Sequence, residues 1–559
     1  MQYVIVGAGP SGVTAAETLR ARDPESKIIL IDGENAAPYG RMAIPYLLTG
    51  QISEEGLSLR KTINHFSELN IDLLKGRVQK ISPKGNLLTL DTGQQISFDK
   101  ILLAAGSIPI KPPIPGLDGS NIHHCWTLKD AQNIINLVGP NVDVALLGAG
   151  FIGCIIMEAL VFGGAKLTVI EAEERMVPRM MDEASSHLIK LWCIKQGVSV
   201  LTAARAISVK ESSGRKIITL NNGKKIEADL VVVATGVKPN IDFLAGSGIE
   251  VDQGVIINNQ LETSIDNIFA AGDIAQGLDF STKSWSVHAV QPTGVEHGRL
   301  AALSMTGQKV NYRGSLNMNI LDTLGLISCS FGLWDKAPGG ECAVRLDENN
   351  FRYTKLNFLE NRLVGALLVG RTENIGVIRG LIQTSVDLGH WKDRLIEDPN
   401  EIAQAYIECT TAYDHNNIYE KILKKSRGNP PVITPFVDKI NSTEALEPNN
   451  KSINSNEVID KKTTKDSQII DEHQVSITIT LKLYAMLAKY LPQSAVRNEA
   501  KLRIKEGIKV QNVLDEYNVP SEHCHLVLIN GRYVTPSERT EINLSDGDVI
   551  AVWPPVAGG

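Results

Sequence analysis

"YVIVGAGPSG", residues 3–12, is the stretch whose reading decides the fold of the first part of this chain. Tyr3 to Val6 form a short apolar run of the kind that makes a buried strand, and a helical pattern opens behind the glycines Gly7, Gly9 and Gly12. At this spacing the first glycine makes a tight turn, the second lets the backbone approach a pyrophosphate, and the third lets helix pack closely on strand. The helix N-terminus favours an anion. Asp32 closes the next strand, "KIILID", 20 residues after Gly12, where a carboxylate accepts from a ribose hydroxyl.

The device recurs in "VALLGAGFIG", with Gly148, Gly150 and Gly153, and Glu171 closes the strand that follows. A carboxylate there binds a ribose 2′-hydroxyl and repels a 2′-phosphate, so the expected donor is NADH rather than NADPH. Nearby Arg175 reads as a residue of a surface helix and not as a phosphate ligand. Two complete fingerprints, each between a strand and a helix, imply two dinucleotide sites.

The strand-like runs "KILLAAG" and "DLVVVATG" complete an α/β pattern through the first 300 residues. From about Asn311 to Lys424 the pattern turns α+β: strand-like "NMNILDTLGLISCSFG" and "YTKLNFLENRLVGALLVG" precede helical "IGVIRGLIQTSVDLG". Between 425 and 474 the composition shifts to Asn, Ser, Thr, Lys, Glu, Asp and Pro, which predicts a linker whose ends would lie about 40 Å apart on average if flexible. Strict alternation then returns at Ile477, Ile479, Leu481 and Leu483, followed by "KLRIKEG", a helical "KVQNVLDEY" and "LVLINGRYV" with Asn530-Gly531 at a hairpin turn. Strand, strand, helix, strands is the order of a β-grasp.

At 559 residues the chain has room for three or four domains. A net charge of −7 without dense basic blocks argues against nucleic acid. Strand-like residues begin at Gln2 and no apolar run approaches membrane-spanning length, so the expectation is a cytoplasmic protein with no membrane contact. The seven cysteines (Cys125, Cys154, Cys193, Cys329, Cys342, Cys409, Cys524) never form CxxC, which argues against a disulfide framework, zinc or an iron–sulfur cluster held by this chain alone.

The order GxGxxG, "LLAAGSIP", GxGxxG, "VVVATGVKPN", "TSIDNIFAAGD" resembles the FAD-dependent pyridine nucleotide-disulfide oxidoreductases over about residues 1–420, nearest the NADH oxidase, rubredoxin reductase and nitrite reductase branch. The resemblance implies FAD at Gly7, Gly9, Pro10, Ser11, Gly12, Asp32, Arg41, Val78, Ala105, Gly106, Gly272 and Asp273. It implies NADH at Gly148, Gly150, Phe151, Ile152, Gly153, Glu171 and Gly236, and a helix from near Gln291 aimed at the flavin. The domains would be 1–115 and 241–310 for FAD, 116–240 for NAD, 311–424 for an interface domain that admits a homodimer, and 475–559 for the β-grasp.

Two departures matter. Many relatives carry a redox cysteine in the segment matched here by "PYGRMAIPYLLTG", where this chain has Met42, so thiol-dependent activities lose their reactive atom. Arg41 beside it reads equally as a flavin contact or a solvent-facing residue. Ile155 replaces a nicotinamide-side glutamate, with Glu158 one helical turn later; Cys154 reads as a helix-packing residue, and His288 and His297 as structural. Flavin takes a hydride and passes on single electrons, so the expected acceptor is an external iron–sulfur protein, with oxygen as the alternative.

The end of the chain, "LSDGDVIAVWPPVAGG", resembles the small subunit of molybdopterin synthase and the thiamine sulfur carrier. In that family the last glycine is adenylated by an E1-like enzyme and becomes a thiocarboxylate, and a tail without side chains can thread a narrow channel. Gly558 and Gly559 therefore read either as a sulfur carrier or as a docking tail. Together the two resemblances imply an NADH-dependent FAD reductase serving a molybdenum or tungsten pterin oxidoreductase, such as an aldehyde oxidoreductase, through an iron–sulfur subunit. The alternatives are an NADH oxidase using oxygen and a sulfur carrier with a regulatory flavoprotein half.

Overall fold

A computed structural model describes residues 1–415 except Thr372, and residues 476–553 apart from 484–486, 488, 489, 493, 494, 496–498, 522, 523, 525, 531 and 537. The segment read as a linker and the tail Gly558-Gly559 lie outside the described residues.

The described chain falls into two compact units, one reaching Cys409 and one containing the residues described from 476 onward. In the first unit, five parallel strands lie in the order Ile268–Ala270, Lys100–Leu103, Gln2–Val6, Lys27–Asp32, Ile71–Lys75. The central strand is sealed on both faces, since Val4, Ile5 and Val6 are all buried. That is why the sequence shows a continuous apolar run rather than alternation. A second parallel sheet repeats the plan with Ser199–Leu201, Lys166–Ile170, Asp143–Leu147, Leu230–Val233 and Ile122–His124. In both, the helix behind the glycines begins at the end of the central strand: Pro10–Arg22 in the first, Phe151–Phe162 in the second.

An antiparallel five-stranded sheet follows, in the order Met318–Thr323, Leu326–Gly332, Arg362–Val369, Arg352–Leu359, Glu341–Asp347. The helix Ile375–Thr384 covers it with Ile378, Leu381 and Ile382 in one core with Phe331, Leu356 and Phe358. The edge strand Glu341–Asp347 went unread in the sequence because only Ala343 is fully buried.

In the second unit, Ser476–Leu483 buries Ile477, Ile479, Leu481 and Leu483 and pairs antiparallel with Glu499–Lys505 and parallel with Val549–Trp553. The helix Val510–Glu516 adds Val510, Val513 and Leu514 to the same core. A parallel central pair crossed by one helix is the β-grasp expected from the sequence. Asn530, with φ +50°, begins the turn between Leu526–Ile529 and Arg532–Tyr533. Among the described residues no helix is long and apolar enough to cross a membrane.

Candidate functional site

The first unit contains a cavity of about 2090 Å³, and both glycine turns open onto it. The turns are near copies. Gly7 has φ +111° and Gly148 φ +102°, conformations that disfavour a side chain. A Cβ on Gly7 would lie 2.2 Å from the Ala104 carbonyl oxygen, and one on Gly148 2.5 Å from that of Ala234. Gly12 and Gly153 stand behind the turns, where a Cβ would meet the carbonyl oxygens of Gly7 and Gly148 at 1.8 and 2.2 Å.

Gly9 and Gly150 differ. A Cβ on either would meet nothing within 4 Å, so packing within the protein does not require glycine there. Each is the N-cap of its helix without a side-chain cap, which leaves the first helical N–H groups directed at open space. Bare backbone and unpaired donors facing a cavity fit a phosphate-bearing ligand. The chain's own residues thus fit FAD and NADH, one at each turn.

The two acids are both buried at the ends of their strands. Asp32 accepts from the Glu34 backbone N–H at 3.1 Å and pairs with Lys75 Nζ at 2.7 Å. Glu171 accepts from Ala149 N–H at 2.6 Å and Glu173 N–H at 2.8 Å, and no cation pairs with it among the described residues. Arg179 and Arg205 stand on the same cavity wall.

Pro10, Ser11, Arg41, Val78, Ala105, Gly106, Asp273, Phe151, Ile152 and Gly236 also line the cavity, whereas Gly12, Gly153 and Gly272 lie behind it. Gly272 backs onto Ser11, whose Oγ would lie 2.4 Å from an added Cβ. Arg41 pairs with Glu34 at 2.6 Å and lies 5.0 Å over the Trp126 ring, while Trp126 Nε1 donates to the Ser107 carbonyl. Ser107 Oγ donates to Asp273 at 2.6 Å, and burial nevertheless pushes the Asp273 carboxyl above its ordinary range. The helix Gln291–Met305 also begins on this cavity, with Gln291 and Gly294 in its wall.

Some sequence readings need revision. Arg175 is not helical: it sits in the irregular segment after Glu171, with its guanidinium on the carbonyls of Pro178 and Met181. Ile155 lines the cavity but Glu158 does not. Burial and nearby Asp322 raise the Glu158 carboxyl instead. Cys154 is sealed in the helix interior, and burial holds its thiol well above the ordinary range. Met42 lines the cavity, and so does Cys125, which sequence reasoning had not placed there. Burial first and Asp130 second push the Cys125 thiol up to about 12, so it is a thiol and not a thiolate at neutral pH. His288, read as structural, pairs with Asp279.

Residues 1–293 match the family described as pyridine nucleotide-disulphide oxidoreductase, residues 318–386 the rubredoxin NAD+ reductase C-terminal domain, and residues 488–559 the ThiS family. The chain is 30% identical over 413 residues to the NADH-dependent phenylglyoxylate dehydrogenase subunit epsilon of Aromatoleum evansii, covering 73% of this chain and 98% of the relative. It is 28% identical over 326 residues to an NADH oxidase of Methanocaldococcus jannaschii, covering 57% and 72%. The reductase of the covalent putidaredoxin reductase–putidaredoxin complex shares the fold, with a TM-score of 0.67 at 23% identity over 72% of this chain and 98% of that one.

Proposed function

The chain belongs to the pyridine nucleotide-disulphide oxidoreductase family as an FAD-dependent NAD(P)H oxidoreductase, and we propose that it carries electrons from NADH to an iron–sulfur subunit of a molybdenum or tungsten pterin enzyme such as an aldehyde oxidoreductase. The observation that carries the acceptor is the pairing, in one chain, of this flavoprotein with a ThiS match that runs through residue 559. That family's relation to pterin enzymes supplies the partner class.

When bound, FAD supplies the conversion of a hydride into single electrons. The chain's residues do the rest. Gly9 and Gly150 with their helix N-termini bind two pyrophosphates. Asp32 and Glu171 orient two riboses, and the uncompensated carboxylate of Glu171 selects NADH against the extra phosphate of NADPH. Gly106, Gly236 and Asp273 hold the far ends of the two ligands, with Arg41 braced on Trp126 as part of the flavin side. Cys125, as a buried thiol, takes no part in electron transfer. The tail glycines reach into the partner, either to carry sulfur after adenylation or to dock.

Purification from the native host tests the acceptor. The account expects a co-purifying protein that contains molybdenum or tungsten and whose iron–sulfur signals respond to NADH. A chain that isolates alone and consumes oxygen with NADH at full rate favours the oxidase reading, to which the similarity with NADH oxidases lends support. Sulfur at the tail, seen as about 16 Da of added mass, favours the carrier role.

A further inference from the structure

His288 in the cavity wall and Asp279 behind it form an acid–base pair that hydride transfer leaves without a task. His288 follows the strand Trp285–Val287 and stands just ahead of the helix Gln291–Met305. Its side chain and that of Asp279 are each 5% exposed, and Nε2 lies 2.8 Å from Asp279 Oδ2. The second carboxylate oxygen accepts from the backbone N–H groups of Ser281 at 2.8 Å and Thr282 at 2.7 Å. Burial works to raise the Asp279 pKa, but the hydrogen bonds from His288 and Thr282 outweigh it and hold the carboxyl below its ordinary range.

An ionised acceptor at Nε2 means that Nε2 carries the hydrogen and Nδ1 the lone pair. Among the described residues Nδ1 has no hydrogen-bond partner, yet it is not a sealed atom, and His288 lines the cavity. His297, nine residues further on and inside the helix, shows the contrast. Both of its ring nitrogens are sealed without partners, and burial, then the charge of His288, push it down to about 3. Its ring meets Tyr312 edge-on at 4.8 Å, and burial pushes that phenol up to about 12. His297 and the Tyr312 it touches therefore stay neutral through the physiological range, and Asp279 is the ionised partner of His288.

We propose that His288, oriented by Asp279, removes the proton left in the cavity when the electrons of NADH depart one at a time. The balance is simple: NADH gives NAD+, two electrons and one proton. Two one-electron acceptors take the electrons, and the proton remains. The Nδ1 lone pair binds it, the imidazolium is stabilised by the Asp279 carboxylate, and the proton then passes to water, with no other bond made or broken. The nearby N-terminus of the helix Gln291–Met305 disfavours a lasting positive charge and so favours release. This rests on the proposed one-electron acceptor, and ferricyanide in its place makes the test independent of the native partner.

Full-length, FAD-loaded wild type, His288→Gln and Asp279→Asn are compared. Gln keeps a donor for Asp279 but cannot take a proton. Nitrogen-15 NMR of the resting protein should show one ring, absent in His288→Gln, that carries its hydrogen at Nε2 and changes its tautomer population in Asp279→Asn. NADH-to-ferricyanide turnover in His288→Gln should fall roughly tenfold to a hundredfold near neutrality, lose the bend in its pH profile at the ring's titration, and recover with added imidazole. Turnover within twofold of wild type with an unchanged pH profile overturns the proposal. So does a ring whose tautomer is the same in Asp279→Asn, the deciding readout if His288→Gln fails to hold FAD.

Discussion

The glycine turns at Gly7–Gly12 and Gly148–Gly153 share one backbone plan but sit in different electrostatic surroundings. In each, two glycines are required by packing within the protein, and the third, which faces the cavity, is the one we assign to the ligand. The acids part company. Asp32 shares its charge with Lys75, whereas Glu171 is held by two backbone N–H groups and keeps its charge for the cavity. On the proposed reading, backbone geometry sets what both turns recognise, a dinucleotide, and the balance of charge sets how selectively each does so.

The largest effect expected separates folding from binding within one turn. Gly12→Ala and Gly153→Ala place a Cβ 1.8 and 2.2 Å from a carbonyl oxygen, far inside van der Waals contact, and should lower stability by at least about 1–3 kcal/mol, read by thermal or denaturant unfolding. Gly9→Ala and Gly150→Ala should leave the apoprotein's stability unchanged. The first should lose FAD content, and the second should raise KM for NADH at least about tenfold. Equal destabilisation by all four would break the assignment of the middle glycines to ligands.

Next in size, Glu171→Gln keeps the side chain's shape and one of the two acceptors that hold Ala149 and Glu173 but removes the charge. With Arg179 and Arg205 still on the wall, the ratio of kcat/KM for NADPH over NADH should rise roughly tenfold, about 1.4 kcal/mol. A wild type that already uses both donors equally would show that the uncompensated carboxylate does not select.

Acid should act on the FAD half, because His297 lies in the helix that packs on its turn. Its folded pKa, about 3, is below the ordinary 6.5. Below 6.5 the unfolded chain binds a proton that the folded chain refuses, so stability falls as pH drops from 6.5 towards 3, by up to about 1.4 kcal/mol per unit. His297→Phe should remove that part of the slope in denaturant titrations at several pH values. The smallest effect is Lys75→Met, which should weaken FAD retention a few-fold and leave KM for NADH unchanged.

What the sequence made legible was local. A strand, a glycine turn and a helix are written in consecutive residues, as are the alternating positions of Ser476–Leu483, because backbone rules act over a few residues. What it hid was assembled by the sheets. Cys125 reaches the cavity because Ile122–His124 adds to the far edge of a sheet whose other strands begin only at Asp143. Arg41 could not be settled until Trp126 lay beneath it. The Asp279–His288 pair forms across a turn that no motif marks, and the helix expected around Arg175 is absent because carbonyls of a loop hold its guanidinium.

The central claim is that one cavity takes a hydride at one turn and releases electrons from the other without a thiol. The direct test is NADH-to-ferricyanide turnover in a variant with every cysteine replaced, Cys125 and Cys154 among them, shown to be folded and FAD-loaded. Turnover within a few-fold of wild type is the predicted result, and a loss of several orders of magnitude, restored by returning Cys125 alone, would contradict it.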